Sequence, residues 1–247
     1  MLKIGLIGYG KMGKTIHSLT AQHGCKVETI VSLDMDTELS SLISSIDVAI
    51  DFTSPEAALD NILFCFQHEI PIVCGTTGWW DNIDKVEGWC REYQGRILYG
   101  GNFSLGVNMV FALNGQLARW MSAYPEYRPS IQETHHLEKL DAPSGTAINM
   151  AQGIISENPN YKSWYLEPNT PAADKGSQIP VKALREPNVP GTHTIRWDSP
   201  TDEITLIHQA HNRNGFANGA LVAAKWLVGQ ASGIYSMQDL LKSEIKS

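Results

Sequence analysis

Apolar positions in the first hundred residues fall into short, nearly solid runs separated by stretches of helical spacing. Residues 2–7, 27–33, 47–52, 70–74 and 96–99 are such runs, the pattern of strands buried on both faces. Between them Met12, Ile16 and Leu19, then Ala58, Ile62, Leu63 and Phe66, recur with helical periodicity. Thr53-Ser54-Pro55-Glu56 supplies an N-cap and a proline in the first turn of the second of these helices. Strand and helix alternating in this way predict a doubly wound parallel sheet of the Rossmann kind.

A helix through Val110, Leu113 and Leu117 comes next, and then the rhythm changes. Pro125 and Pro129 mark a break, and residues 192–197 and 203–210 alternate apolar with polar, as strands of a half-open sheet do. Residues 188–191 and 198–202 read as turns, and the polar, proline-spaced segment 159–180 as an exposed loop. Residues 217–228 return to helical spacing. The expected fold class is α/β: a dinucleotide-binding domain from residues 1–106 and 214–247, with an inserted α+β domain at 107–213 carrying a mixed sheet.

The first apolar run flows directly into Gly8-Tyr9-Gly10-Lys11-Met12-Gly13. Between a strand and a helix, this spacing suits a dinucleotide loop: one glycine for the tight turn, one for pyrophosphate approach, one for close helix packing. A plain tight turn is the alternative. Asp34 ends the second strand where a carboxylate would bond the adenosine ribose hydroxyls, and with Met35 beside it NADH is favoured over NADPH. A solvated turn aspartate is the competing reading. Gly75-Thr76-Thr77-Gly78 follows the fourth strand, offering amides and hydroxyls at a strand's carboxyl end. Gly100-Gly101-Asn102-Phe103 follows the fifth.

Composition adds exclusions. A formal net charge of −7, with no cluster of Lys and Arg, argues against a nucleic-acid surface. No apolar run reaches the length of a membrane span. The four cysteines stand at unrelated spacings, which favours free thiols over a disulfide framework. With no targeting segment in evidence, the expectation is a soluble, cytoplasmic protein.

The densest chemistry lies in Glu133-Thr-His135-His136-Leu-Glu-Lys139-Leu-Asp141-Ala-Pro143-Ser144-Gly145-Thr146-Ala147. His135 and Lys139 can each carry a proton, while the Ser-Gly-Thr helix start offers N–H groups and hydroxyls to an anion. Adjacent histidines on a regular strand face opposite ways, so both line one site only if the strand ends or bends here. Glu133 and Asp141 read more simply as capping or loop-bonding groups. His208-x-x-His211 with His193 upstream offers no convincing metal set, since the spacing splits strand faces and no cysteine is near. No metal is expected. Arg213 is a modest further candidate for reaching substrate or a hinge.

Together the Gly8–Gly13 loop, the Gly75–Gly78 turn, Asn102-Phe-Ser-Leu-Gly-Val-Asn108 and the Glu133–Ala147 stretch closely resemble the dihydrodipicolinate reductase family, over essentially the whole chain. The resemblance implies reduction of a small cyclic dicarboxylate imine by NAD(P)H in the diaminopimelate route to lysine. It implies His135 as general acid/base and Lys139 as second proton donor, with His136, Lys139, Gly145 and Thr146 holding substrate. It implies cofactor contacts from Gly8, Tyr9, Gly10, Lys11, Met12, Gly13, Asp34, Gly75, Thr76, Thr77, Gly100, Gly101, Asn102 and Phe103, closure of the two domains over substrate, and a homotetramer built around the second sheet. The glycine loop is one residue shorter than in many members, and Met35 stands where some carry arginine. Two other readings remain: another two-domain dehydrogenase, which should show a Glu-Lys-Pro-type lysine motif after the fifth strand, and a dinucleotide sensor, which would leave His135 and Lys139 without a purpose.

Overall fold

The computed structural model describes residues 1–35, 37–43, 45–167, 176–212 and 214–245. The chain divides into two compact units, Met1–Leu105 with Asn214–Ser247, and Gly106–Arg213.

In the first unit, strands β1 (Leu2–Ile7), β2 (Cys25–Val31), β3 (Val48–Asp51), β4 (Ile72–Cys74), β5 (Arg96–Tyr99) and β11 (Gly233–Tyr235) form one parallel sheet in the order β11-β5-β4-β3-β1-β2. Helices α1 (Lys11–Leu19), α6 (Asn214–Val228) and α7 (Met237–Ile245) pack one apolar cluster around Ile4, Ile16, Leu98 and Leu221. Helices α2 (Pro55–Gln67) and α3 (Ile83–Glu92) pack another around Ala49, Ile62, Phe66 and Ile72. A parallel strand needs cover on both faces, and these two clusters supply it.

Three of these elements, α3, β11 and α7, are additions to the sequence expectation. Strand β11 has three residues, too few for a period to show, and it exists because Ile234 and Tyr235 pair with Ile97 and Leu98 of β5. Helix α7 follows at once and sets Met237 and Leu240 in the core.

In the second unit, β6 (Arg128–His135), β7 (Ser163–Glu167), β8 (Gln178–Arg185), β9 (Thr192–Asp198) and β10 (Glu203–Gln209) form a mixed sheet in the order β10-β9-β6-β8-β7. Pairs β10·β9 and β9·β6 are antiparallel, while β6·β8 and β8·β7 are parallel. One face carries Ile131, Ile179, Val181, Ile195 and Trp197, all buried with Met150, Ala151 and Ile154 of α5 (Gly145–Glu157) and with Leu117 and Ala118 of α4 (Leu105–Met121). The other presents Ser130, Gln132, Lys182, Thr194 and Arg196 around an open groove.

The expected loop at 159–180 is corrected here. Ser163–Glu167 is a strand because Trp164 and Leu166 find parallel partners in Ile179 and Val181, despite the polar, proline-spaced context. Its middle, 168–175, lies outside the described residues. Among the described residues no helix is long and apolar enough to cross a membrane.

Candidate active site

The first unit carries the expected cofactor residues. After β1 the chain turns at Gly8 with φ of 91°, where a Cβ would fall 2.3 Å from the Phe52 carbonyl oxygen. A Cβ on Gly13 would in turn meet the Gly8 carbonyl oxygen at 2.3 Å, so α1 lies directly on the turn. Gly10 is extended, has no atom within 4 Å of an added Cβ, and leaves the first turn of α1 without a side-chain cap. Uncapped N–H groups beside open space fit an anion such as a pyrophosphate.

The other residues of this set differ in what they present. The Tyr9 hydroxyl is tied to His17 Nδ1 at 2.7 Å, Lys11 is exposed, and Met12 packs against the core. Asp34 is exposed just beyond β2, between the exposed Leu33 and Met35. In the turn after β4, Thr77 is exposed but Thr76 is buried and donates its hydroxyl to Asp51. Gly100 and Gly101 open the turn after β5, where Asn102 Oδ1 accepts from Ser104 N–H at 2.9 Å. Phe103 is buried edge-on to Phe52. Thr76 and Phe103 therefore have only backbone to offer a ligand.

In the second unit β6 stops at His135, and Lys139 N–H closes a turn on the His136 carbonyl. That ending is the condition under which both histidines can serve one site. Residues 131, 133 and 135 share the inner face of β6, so its apolar lining gives way at this end to Glu133 and His135, both buried. Register places His193 of β9 opposite Glu133, and His208 of β10 opposite His193. His135 Nδ1 lies 2.9 Å from Glu133 Oε2, at ion-pair distance though without the alignment of a formal hydrogen bond. The His135 and His193 rings meet edge to face at 5.0 Å, and the backbone of Gly191 closes over His135, an added Cβ falling 3.1 Å from Nε2.

Arg185, at the end of β8, organises the loop beyond β6. It donates to Glu133 Oε1 at 3.2 Å, to the Lys139 carbonyl at 3.1 Å and to the Asp141 carbonyl at 2.6 Å. Lys139 Nζ sits 2.8 Å from both Asp141 carboxylate oxygens, and Asp141 is held below its ordinary pKa by that bond. Asp141 is largely exposed, so the pair is worth little and a ligand carboxylate can displace it. Ser144 caps α5 by accepting from Ala147 N–H at 3.2 Å, which leaves Gly145 exposed and Thr146 half-buried at the helix start.

Glu133, Arg185, His193 and Gly191 surround His135 and its loop without having been assigned there from sequence, and Glu133 bonds across strands rather than only within its loop. Arg213 lies outside the described residues. Burial alone would raise the Glu133 pKa, but the close approach of His135 and the Ser144 hydroxyl and N–H outweigh it and hold it down to about 2. Glu133, His135 and His193 offer ligand atoms within 4.8 Å of one another. Yet both Glu133 oxygens already face cationic or N–H groups, with a guanidinium among them, so a metal would have to displace that charge.

His193 is pushed down to about 4, first by burial and then by the neighbouring His135. Its folded pKa is below the unfolded value of 6.5, so the unfolded chain takes up a proton that the folded chain refuses. This contribution to stability is complete above pH 6.5 and falls as pH drops from 6.5 to about 4. The loss reaches roughly 3 kcal/mol. Thermal melts across that window should show it, and His193→Asn should flatten the curve; superimposable acid profiles for the two proteins contradict the assignment.

Comparison with known proteins identifies the family. Family models described as dihydrodipicolinate reductase, N-terminus and C-terminus, match residues 2–103 and 106–241. A 4-hydroxy-tetrahydrodipicolinate reductase of Christiangramia forsetii is 45% identical over 247 residues, covering 100% of both chains. One from Syntrophus aciditrophicus is 35% identical, covering 84% of this chain and 77% of its own. A solved dipicolinate-bound dihydrodipicolinate reductase of Paenisporosarcina sp. TG-14 superimposes with a TM-score of 0.76 at 25% identity, covering 97% of this chain and 99% of that one. With both halves matched by the family models and a full-length relative at 45% identity, the chain belongs to the dihydrodipicolinate reductase family.

Proposed function

We propose that the protein reduces 4-hydroxy-tetrahydrodipicolinate to tetrahydrodipicolinate with a reduced pyridine nucleotide, in the diaminopimelate route to lysine. The observation that carries this reading is His135, buried at a strand end against an ionised carboxylate, in the same loop-helix unit as Lys139 and the open start of α5. The relatives' shared name supports the substrate.

The Gly8–Gly13 loop and the N-terminus of α1 would hold the pyrophosphate, Asp34 the adenosine ribose, and the turns after β4 and β5 the nicotinamide half. When bound, this cofactor supplies the hydride. The protein supplies charge, orientation and a proton. Once water is lost, hydride addition to a ring carbon leaves an electron-rich enamine that must be protonated. His135, carrying protons on both ring nitrogens, delivers one from Nε2 and keeps the other on Nδ1, the side that Glu133 takes up. Lys139, released from Asp141, holds one carboxylate and stabilises developing negative charge. Gly145 N–H and Thr146 hold the other carboxylate at the helix start, with His136 beside them.

Three finer readings go with this one. Asp34 would meet a 2′-phosphate with like charge, so NADH is the preferred cofactor, with NADPH as second. Four buried, unpaired cysteines suit a reducing cytoplasm. Exposed Leu113, Trp120, Tyr124, Ile204 and Ile207 on the second unit suit a homotetramer built there.

In an assay following NADH loss with freshly generated substrate, His135→Gln or Lys139→Ala lowers kcat at least ~100-fold while NADH affinity barely moves, the scale of lost acid/base catalysis. Glu133→Gln lowers kcat by about 10-fold or more with substrate KM nearly unchanged, as loss of a ring-orienting partner should. Full turnover in all three variants removes the assignment. Asp34→Ala narrows the preference for NADH over NADPH; an unaltered ratio of kcat/KM values places Asp34 outside the pocket. Sedimentation at micromolar concentration should give a tetramer, and a monomer there ends that part of the reading.

A further inference from the structure

Asp51 ends β3 with no exposed surface, and nothing in the reaction as described uses it. A buried carboxylate is costly unless neutralised or fully bonded. Among the described residues no Lys or Arg pairs with it. Instead Oδ1 accepts from Thr53 Oγ1 at 2.7 Å and from Thr76 Oγ1 at 3.0 Å, and Oδ2 accepts from Asn61 Nδ2 at 3.1 Å. Thr53 N–H donates to Thr76 Oγ1 at 2.8 Å, which leaves the Thr76 hydroxyl proton for Asp51. The donors come from the turn after β3, from α2 and from the turn after β4.

The backbone repeats the same convergence. Gly75 N–H donates to the Asp51 carbonyl at 2.9 Å, and Phe52 N–H to the Ile7 carbonyl at 2.9 Å. A Cβ on Gly75 would fall 2.1 Å from the Phe52 ring, and one on Gly8 would fall 2.3 Å from the Phe52 carbonyl oxygen. The turns after β1, β3 and β4 therefore meet at Asp51 and Phe52, and Asp51 is the only titratable group among these contacts.

Burial pushes the Asp51 carboxyl above its ordinary range, so keeping a carboxylate here costs stability that an apolar residue would spare. A group retained at such expense, and bonded on both oxygens, serves to fix geometry. We propose that Asp51 is a positioning residue for the cofactor: it holds the Phe52–Thr53 and Gly75–Thr77 turns at one spacing, so that their backbone and the exposed Thr77 meet the nicotinamide half of the dinucleotide. This rests on the reading that these turns bind a pyridine nucleotide.

The test uses the full-length protein, NADH fluorescence titration and steady-state kinetics. Asp51→Asn keeps the shape but sets an amide NH2 against the NH2 of Asn61, breaking the cluster on one side. It should raise the Kd and KM for NADH by about 10-fold while kcat falls by less than about 3-fold. The double variant Asp51→Asn with Asn61→Asp restores donor against acceptor and should return both constants to within about 3-fold of the starting protein. A folded Asp51→Asn variant that binds NADH as the unmodified protein does overturns the proposal, as does a double variant with restored melting temperature but unrestored affinity. Should Asp51→Asn fail to fold, Thr76→Val removes the hydroxyl that donates to Asp51 and accepts from Thr53 N–H while keeping the Gly75 N–H bond to the Asp51 carbonyl, and an unchanged NADH Kd in that variant overturns the proposal equally. If the unmodified protein binds neither NADH nor NADPH, the parent reading fails instead, so the two failures are told apart.

Discussion

The second unit depends on one buried charge. Glu133 sits with no exposed surface at the polar end of an otherwise apolar sheet face, ionised at neutral pH. A carboxylate so placed costs several kcal/mol unless its oxygens are met. Meeting them requires β6 to bring His135, β8 to bring Arg185, and the start of α5 to bring Ser144. Those elements are held in register by the apolar half of the same face, where Ile131, Ile195 and Trp197 pack beneath α5. The hydrophobic core thus fixes the alignment, and the buried charge turns that alignment into chemistry at the sheet's end.

Charge at the site is divided by exposure. Glu133 and His135 are sheltered, so solvent does little to weaken the attraction between them. Lys139 and Asp141 meet near the surface, where solvent weakens the pair and a carboxylate from outside can compete. Arg185 joins the two zones, holding Glu133 with one nitrogen and the Lys139–Asp141 backbone with others. The site thus joins a sheltered imidazole to a loop whose ammonium is held only near the surface. In the first unit a comparable arrangement of small residues and one buried carboxylate shapes the turns at the carboxyl ends of β1, β3 and β4.

Much of this was legible in the chain itself. The solid apolar runs located β1 to β5 to within a few residues, and the glycine spacing located the turn onto α1. The strand ending needed for His135 and His136 to serve one site is present. What stayed hidden depends on pairing across the sheet. His193 acquires meaning only because register sets it opposite Glu133, and no local pattern announces that. Arg185 ends β8, a strand the sequence expectation did not name, and Asp51 looked like the polar end of a buried run. Strands β7, β8 and β11 were missed because partners, rather than any clear local pattern, make them strands. Thr76 and Phe103 lie in the expected cofactor turns with their side chains packed inward, a feature that motif membership does not reveal.

The central claim is that Glu133 fixes the His135 ring with Nδ1 on the carboxylate side, leaving Nε2 to act as the acid. Nitrogen-15 NMR of the histidine rings tests it most directly. In the neutral ring His135 should carry its proton on Nδ1, and Glu133→Gln should let the proton redistribute between the two nitrogens. A neutral His135 protonated on Nε2 in the unmodified protein, indifferent to Glu133→Gln, would contradict the account.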